Sequence, residues 1–566
     1  MKTKLYQLIP LSLLLVLPPL STTENEFTPP KSYTKLSEGV FVSKAPGFYP
    51  GAIQVSFALD PSLELYYSFS ADTNTIDSMT KYETAIRVDK KGDHQKSDYP
   101  LTTSVDAILP EDKEGKCVSD TYINNIQKTG NYVFYDKQPV LFIQVRNKET
   151  KETILKRSLT YLIKDEITTN IDIPVISLSL PYEEVFGKTN GFYNKIREDI
   201  SKRANLEYFD PAYQESFYRN TQIKLGGNWT LGYPQRTLNL NFNKDESGKK
   251  NEKVTEHVFE ERTKRAENKR LSQLTRFRLH NGGNAFESST RINDAVLQRI
   301  MEKSNAATTG YRPTVVYLNG EYWGLMSIRE HYKDVYFENN YNVDKDNVIT
   351  YDLKGSFSVD EGDETRGKEK LQEMEDYLSS HDLSNDSAYQ TFLDQYLDLD
   401  SFLDVVLAQA YSGNWDFIGN FNNLKMWTVD VSNPGSKYED GKFRFVLHDT
   451  DFAFTSYDNP LSPYHSNSYS KFPLMQHLLK NQSFKNSMIQ RTEELMDTLF
   501  SPYHCSDVLN QMMEEIRPYR MISDLRWGQK ESDLSSWNLE INKTFTYFER
   551  KEKTFLNDVR NIMMMY

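Results

Sequence analysis

The sequence predicts an α+β protein in which a small antiparallel β-sandwich precedes a larger region of mixed strands and helices. Three observations carry this reading. Short apolar-alternating runs recur between turn residues from about 38 to 165, the spacing of a sandwich. From about 170 the order becomes strand, Gly-rich loop, strand, helix and hairpin. Beyond Phe472 the apolar residues take up a helical period that lasts to the C-terminus. At 566 residues the chain is too long for one ordinary core, so two or three domains are expected.

The bulk composition narrows the function classes. A formal net charge of -13 argues against nucleic acid as a partner. Charged residues at 26% and hydrophobic residues at 38% describe a folded chain rather than a disordered one. At the N-terminus Lys2 and Lys4 precede an apolar run from Leu8 to Leu20, and Ser21, Thr22 and Thr23 follow. That is the layout of a secretory signal peptide over residues 1–23, which predicts a secreted or extracytoplasmic protein, free or held at the cell surface. Residues 24–37 read as a polar, Pro-containing linker. The two cysteines, Cys117 and Cys505, read as unpaired thiols, and no Cys/His cluster has zinc-like spacing.

Each element follows in order. In the 38–165 module, Ile53–Phe57, Leu63–Tyr67, Val140–Val145 and Ser158–Ile163 alternate as strands do. In the 170–566 domain, Pro174–Leu180 is a strand-like run. Ile223–Leu225 leads into the loop Gly226 to Gly232, and alternation resumes at Thr237–Phe242. The charged stretch 245–270 reads as an exposed excursion. Ser288 or Ser289 is placed to cap a helix that runs through Met301. Asn319-Gly320 between two alternating runs is a strong hairpin signal. Phe402–Tyr411 reads as an apolar helix leading to Asp416. Leu424–Val429 and Phe443–Leu447 form a second hairpin across Asn433-Pro434-Gly435. Trp527 and Trp537 are expected core anchors in the helical tail.

The chemistry-bearing residues fall into a phosphoryl-transfer order. A phosphoryl donor carries several negative charges, so its site needs backbone donors, cations and a metal held by carboxylates. The loop at Gly226 and Gly227 lets backbone amides approach phosphates, although such a turn between strands also serves as a plain turn. Arg236 opens the next strand, where a phosphate-pairing cation belongs, although an isolated Arg there also fits a solvated charge. Asp416 is the candidate base for an acceptor hydroxyl, and it equally fits a turn or helix cap. Asn422 and Asn423 offer neutral oxygens to a metal. Asp449 and Asp451, spaced by one in an extended segment, point to one face and reach one cation.

Two resemblances sharpen these expectations. Ser43-Lys44-Ala45-Pro46-Gly47-Phe48-Tyr49 with Leu65–Ser70 resembles the immunoglobulin-like domain at the C-terminus of chitobiase-type hexosaminidases. That resemblance implies a spacer, or a weak carbohydrate or cell-envelope contact. From about 172 to 560 the chain resembles the CotH family, the spore coat protein H type of secreted atypical protein kinase. The matching text includes Thr189–Tyr193, Tyr233-Pro234-Gln235-Arg236-Thr237, Phe277–Asn284, Asn319-Gly320-Glu321-Tyr322-Trp323-Gly324, Asn414-Trp415-Asp416 and His448-Asp449-Thr450-Asp451.

The CotH resemblance implies a reduced, atypical, two-lobed protein-kinase-like domain. It implies transfer of phosphate from ATP, with Mg²⁺ or Mn²⁺, to Ser or Thr of exported proteins. It maps Asp416 to the base, Asp449 to the metal and Asp451 to a supporting acid, and sets Glu330 in the small lobe or hinge beside the nucleotide. The chain departs from the family pattern where Lys is usual and Arg236 stands, and where two residues, Asn420-Phe421, lengthen the loop after Asp416. A catalytically weak kinase-like surface protein that binds an envelope or host partner is the alternative these departures support.

Overall fold

A computed structural model describes residues 27–566 except 72–74, 91–135, 165–169, 245–249, 251–252, 260–261, 286–289, 354–356, 418–422, 458–460, 462–472, 528–533 and the single positions 188, 197, 264, 268 and 272. The signal segment, Cys117, Ser288, Ser289 and Asn422 lie outside the described residues. The mixed α+β class is as the sequence predicts.

Among its described residues the N-terminal module contains three small sheets. Strands β1 (Thr34–Ser37), β2 (Val40–Val42) and β5 (Phe57–Leu59) form one, and β4 (Ile53–Val55) pairs with β8 (Ile86–Val88) in another. The largest runs β3 (Gly47–Tyr49), β10 (Thr153–Ile163), β9 (Val140–Asn147), β6 (Leu63–Ser68) and β7 (Thr80–Lys81). Two details depart from the sequence expectation. β1 lies inside the stretch read as linker, and β3 runs parallel to β10 in an otherwise antiparallel arrangement. The alternating residues Val40, Val42, Val55, Leu65, Ile143, Val145, Leu159 and Tyr161 meet in one buried cluster, as period-two strands with one apolar face require.

This module is docked on the next unit. Asp136 accepts from the Tyr317 hydroxyl at 3.0 Å, and its carbonyl accepts from the Tyr322 amide at 2.8 Å. Thr160 donates its amide and its hydroxyl to Glu207, at 2.9 and 2.6 Å.

The upper lobe of the second unit is a closed seven-stranded barrel. Its strands are β11 (Val175–Ser179), β12 (Lys202–Asp210), β13 (Glu215–Gly226), β14 (Thr237–Asn241), β15 (Arg276–His280), β16 (Tyr311–Leu318) and β17 (Glu321–Arg329). Neighbours are antiparallel except where β11 closes on β16 in parallel. Ile176, Leu178, Leu206, Tyr208, Ile223, Leu238, Leu240, Phe277, Leu279, Trp323 and Ile328 fill one face, joined by Trp527 from the tail. Intervening residues such as Val175, Val315, Tyr317 and Leu325 pack instead on the helical core below, so these strands are buried on both sides. The β16–β17 hairpin turns at Asn319 and Gly320, both with positive φ (48° and 80°), as an Asn-Gly hairpin demands.

The stretch 245–270, expected to be exposed, is a cover instead. Val254, Val258, Phe259 and Arg262 are buried among its described residues, because an open barrel end offers apolar surface that must be shielded from water.

The lower lobe is a four-stranded sheet, β19 (Phe357–Glu361), β18 (Val348–Leu353), β20 (Leu424–Val429) and β21 (Arg444–Val446), with helices around it. β20 and β21 pair in the expected hairpin, Lys425 opposite Val446 and Trp427 opposite Arg444. Two helices matter for the site. Helix α1 (Asn293–Ile300) follows β15, and α2 (Leu399–Ser412) is buried from Ser401 to Ser412. An all-round apolar helix belongs in a core. Asp398 caps α2, and Gly413 ends it at φ 63°, where a Cβ would lie 2.0 Å from the Ser456 carbonyl. Only Gly accepts that left-handed position at such close approach. The long tail helices Pro502–Arg526 and Ser535–Met565 brace both lobes, and Trp527 and Trp537 are core residues as expected. Among the described residues no helix is long and apolar enough to cross a membrane.

Candidate functional site

A cleft of about 350 Å³ lies between the barrel and the lower lobe. From the barrel come Gly227, Arg278, His280, Arg329 and Glu330, and from below come Asp416, Asn423, Lys425, Asp449 and Asp451. Residues far apart in the chain therefore meet here.

Local structure explains each placement. Gly413 stops α2, and the chain turns immediately through Asn414 and Trp415 to set Asp416, half-buried, at the cleft. Asn414 donates to Gln409 Oε1 at 2.8 Å and to the Asp449 carbonyl at 3.2 Å, tying the two acidic loops together. Asn423 donates its amide to Asp416 Oδ2 at 2.9 Å and to the Asp416 carbonyl at 3.2 Å. Its amide group thus orients Asp416, a role different from the metal contact expected of it.

β21 delivers the second acidic loop. Asp449 is not extended, as the sequence reading had it, but left-handed at φ 51°. Left-handed non-Gly residues are strained and persist where surrounding structure holds them. Here Thr450, one residue on, is held by Asp294: its amide and hydroxyl donate to Asp294 Oδ1 at 3.1 and 2.7 Å. Asp451 accepts from the Asn284 amide at 2.8 Å. Gly283 makes room for it, since a Cβ there would sit 1.8 Å from Asp451 Oδ2. The motif Asn281-Gly282-Gly283-Asn284 is therefore a seat for Asp451.

The electrostatics follow from crowding acids away from water. Burial and the charges of Asp294 and Asp416 push Asp449 up to about 7. Burial, Asp449 and Asp294 push Asp451 well above the carboxylate range. Asp294 goes the other way. Burial opposes its ionisation, but the guanidinium of Arg329, 2.7 Å away, and then His280 and Thr450 hold it well below the usual range. His280 and His448 are driven down to about 3, chiefly by burial, so both are neutral imidazoles.

Asp449 and Asp451 line the same cleft, and the charge of Asp449 raises the affinity of Asp451 for its proton. Two desolvated carboxylates so placed can take up a proton or a cation. The pair fits a divalent ion such as Mg²⁺ or Mn²⁺. Among the described residues no group of three or more His, Cys, Asp or Glu side chains is placed to hold a metal ion.

The nucleotide-side residues divide between cleft and support. Arg236 does not line the cleft. It is fully buried, donating to the Leu231 and Tyr193 carbonyls at 2.7 and 2.8 Å, with its guanidinium over the Tyr193 ring. Those acceptors sit behind the Gly-rich loop, so the residue braces that loop. Glu330 reaches the cleft wall, but its oxygens are taken by Arg262 at 2.6 Å, the Gly310 amide at 2.8 Å and Asn340 at 2.8 Å. Gly226 ends β13 beside Asn239 and does not line the cleft, whereas Gly227, at φ 102°, does.

The cation that sequence reading missed is Arg278 on β15. It faces the acidic group, donates to Asn239 at 3.0 Å and contacts His331 at 3.0 Å. Among the described residues no carboxylate lies within ion-pair distance of it. Burial and Arg329 lower its affinity for its proton, while Asp449, Asp294 and Asp451 raise it. The signal was legible, since Arg278 alternates with the core residues Phe277 and Leu279. Asp294 was missed because an acid in a first helical turn reads as a dipole partner.

Residues 223–555 match the family model described as CotH kinase protein. No match was found among curated proteins.

Proposed function

The chain belongs to the CotH kinase family, and from that premise we propose that the cleft transfers phosphate from ATP to Ser or Thr hydroxyls of exported proteins. The observation that carries the proposal is the convergence of Asp416, Asp449 and Asp451 opposite Gly227 and Arg278 in one cleft.

In this reading the backbone at Gly227 and the guanidinium of Arg278 bind the donor phosphates. Asp449 and Asp451 would hold a divalent ion, which would neutralise charge on the transferred group. Asp416, oriented by Asn423, takes the proton of the acceptor hydroxyl. The hydroxyl oxygen bonds to the terminal phosphorus as the bond to the departing ADP oxygen breaks. Arg329, paired with Asp294, keeps the Asp449-Thr450-Asp451 loop in place. The apolar run from Leu8 to Leu20 supports export, and the acceptor is then an extracytoplasmic protein.

The test uses the purified chain with labelled ATP and Mg²⁺ or Mn²⁺, beside its Asp449→Ala form. Label in the parent alone supports the proposal. Equal label in both sinks the assignment of Asp449. No label and no metal-dependent ATP binding favours the second reading, a kinase-like binding protein, which the burial of Arg236 away from the cleft supports.

A further inference from the structure

A second and larger cavity, about 850 Å³, lies behind the wall of the catalytic cleft. Six cationic side chains line it (Arg262, Arg265, Arg299, Lys303, Lys437 and Arg444) against three acids (Glu302, Asp398 and Asp400). That excess stands out in a chain of net charge -13.

Pairing removes several of these charges. Arg262 meets Glu330 at 2.6 Å and Glu302 at 3.0 Å. Arg444 meets Asp398 at 2.9 Å and Asp440 at 2.8 Å, and Arg299 reaches Glu515 at 4.0 Å. Asp400 remains, exposed at the rim. Among the described residues Arg265, Lys303 and Lys437 have no carboxylate within ion-pair distance. Arg265 donates to Thr308 Oγ1 at 2.6 Å and to the Ser304 carbonyl, which fixes its guanidinium, while its buried Nε has no acceptor. Lys303 and Lys437 are exposed at the mouth.

We infer that this cavity binds a phosphomonoester group. A guanidinium fixed at the cavity wall, flanked by two exposed ammonium groups, matches a compact dianion with several acceptor oxygens better than a single carboxylate. The ion pair of Arg262 with Glu330 walls the cavity off from the catalytic cleft, so its occupant and a nucleotide bind side by side.

The test is calorimetric titration of the full chain with a short phosphoserine peptide, the same peptide without phosphate, and inorganic phosphate, each with and without saturating ATP. The ATP-free titrations repeated on the Asp449→Ala form make that outcome independent of catalysis. One equivalent of phosphopeptide should bind in the presence of ATP, at least tenfold tighter than the unmodified peptide. The Lys303→Gln/Lys437→Gln pair, both exposed and harmless to folding, should weaken it roughly tenfold, and adding Arg265→Gln should abolish it. Free phosphate binding as tightly as the peptide would identify the source as the free ion and keep the site. Complete displacement by ATP, or unchanged binding in the variants, would overturn the inference.

Discussion

Asn423 donates its side-chain amide to the Asp416 carboxylate across 2.9 Å, orienting the candidate base at the cleft. A hydrogen bond to a charged group is worth about 1.5–3 kcal/mol. Asn423→Ala should therefore lower kcat roughly ten- to hundredfold while leaving the KM for ATP nearly unchanged. Steady-state kinetics at varied ATP would check this, and a rise confined to the ATP KM would contradict the orienting role.

Asp449 is held against Asp294, Asp416 and Asp451 in a site short of water. Relieving that repulsion should stabilise the fold even as it removes the metal contact. Asp449→Asn should lose activity and, in metal-free buffer above pH 7, be more stable than the parent by about 1–2 kcal/mol, read as a higher unfolding temperature. A lower unfolding temperature would show that the acidic group is stabilising as it stands.

Arg278 and Arg236 should separate cleanly. Arg278→Gln should raise the KM for ATP by about tenfold or more with little effect on melting, since it faces the cleft. Arg236→Gln should leave carbonyl acceptors at Leu231 and Tyr193 unpaired and cost about 2–4 kcal/mol of stability. Melting curves beside nucleotide titrations would reveal a reversed pattern.

Gly283→Ala places a methyl group where Asp451 Oδ2 now lies, at a backbone φ of 61°. Activity should fall at least a hundredfold in a folded protein, read by phosphate transfer together with circular dichroism. Retained activity would mean that Asp451 is dispensable.

Glu207 lies between the N-terminal module and the barrel, and burial pushes it up to about 7. A free Glu loses its proton near 4.5, so the folded protein binds more protons than the unfolded chain between these values. Stability then falls as pH rises from about 4.5 to 7 and levels off above, by on the order of 3 kcal/mol. Glu207→Gln should flatten the profile. Chemical denaturation at pH 5 and pH 8 would measure both, and an unchanged slope in the variant would assign the effect elsewhere.

The sequence by itself determined the elements whose signals are local. The Asn319-Gly320 hairpin needs positive φ at two adjacent residues, and the apolar helix ending at Gly413 needs a core and a left-handed stop, so neither depended on distant partners. The acids Asp416, Asp449 and Asp451 were legible because strand ends and helix ends leave side chains free for chemistry. Tertiary structure alone decided the parts that depend on who faces whom. Closing β11 on β16 made a barrel, and its curvature turned Arg236 inward onto Tyr193 while Arg278, one strand over, faced the acids. It also drew the charged 245–270 stretch over apolar surface and docked the N-terminal module through Asp136 and Glu207. Spacing along a chain sets which face of an element a residue occupies, but only packing decides whether that face meets water, a core or a cleft.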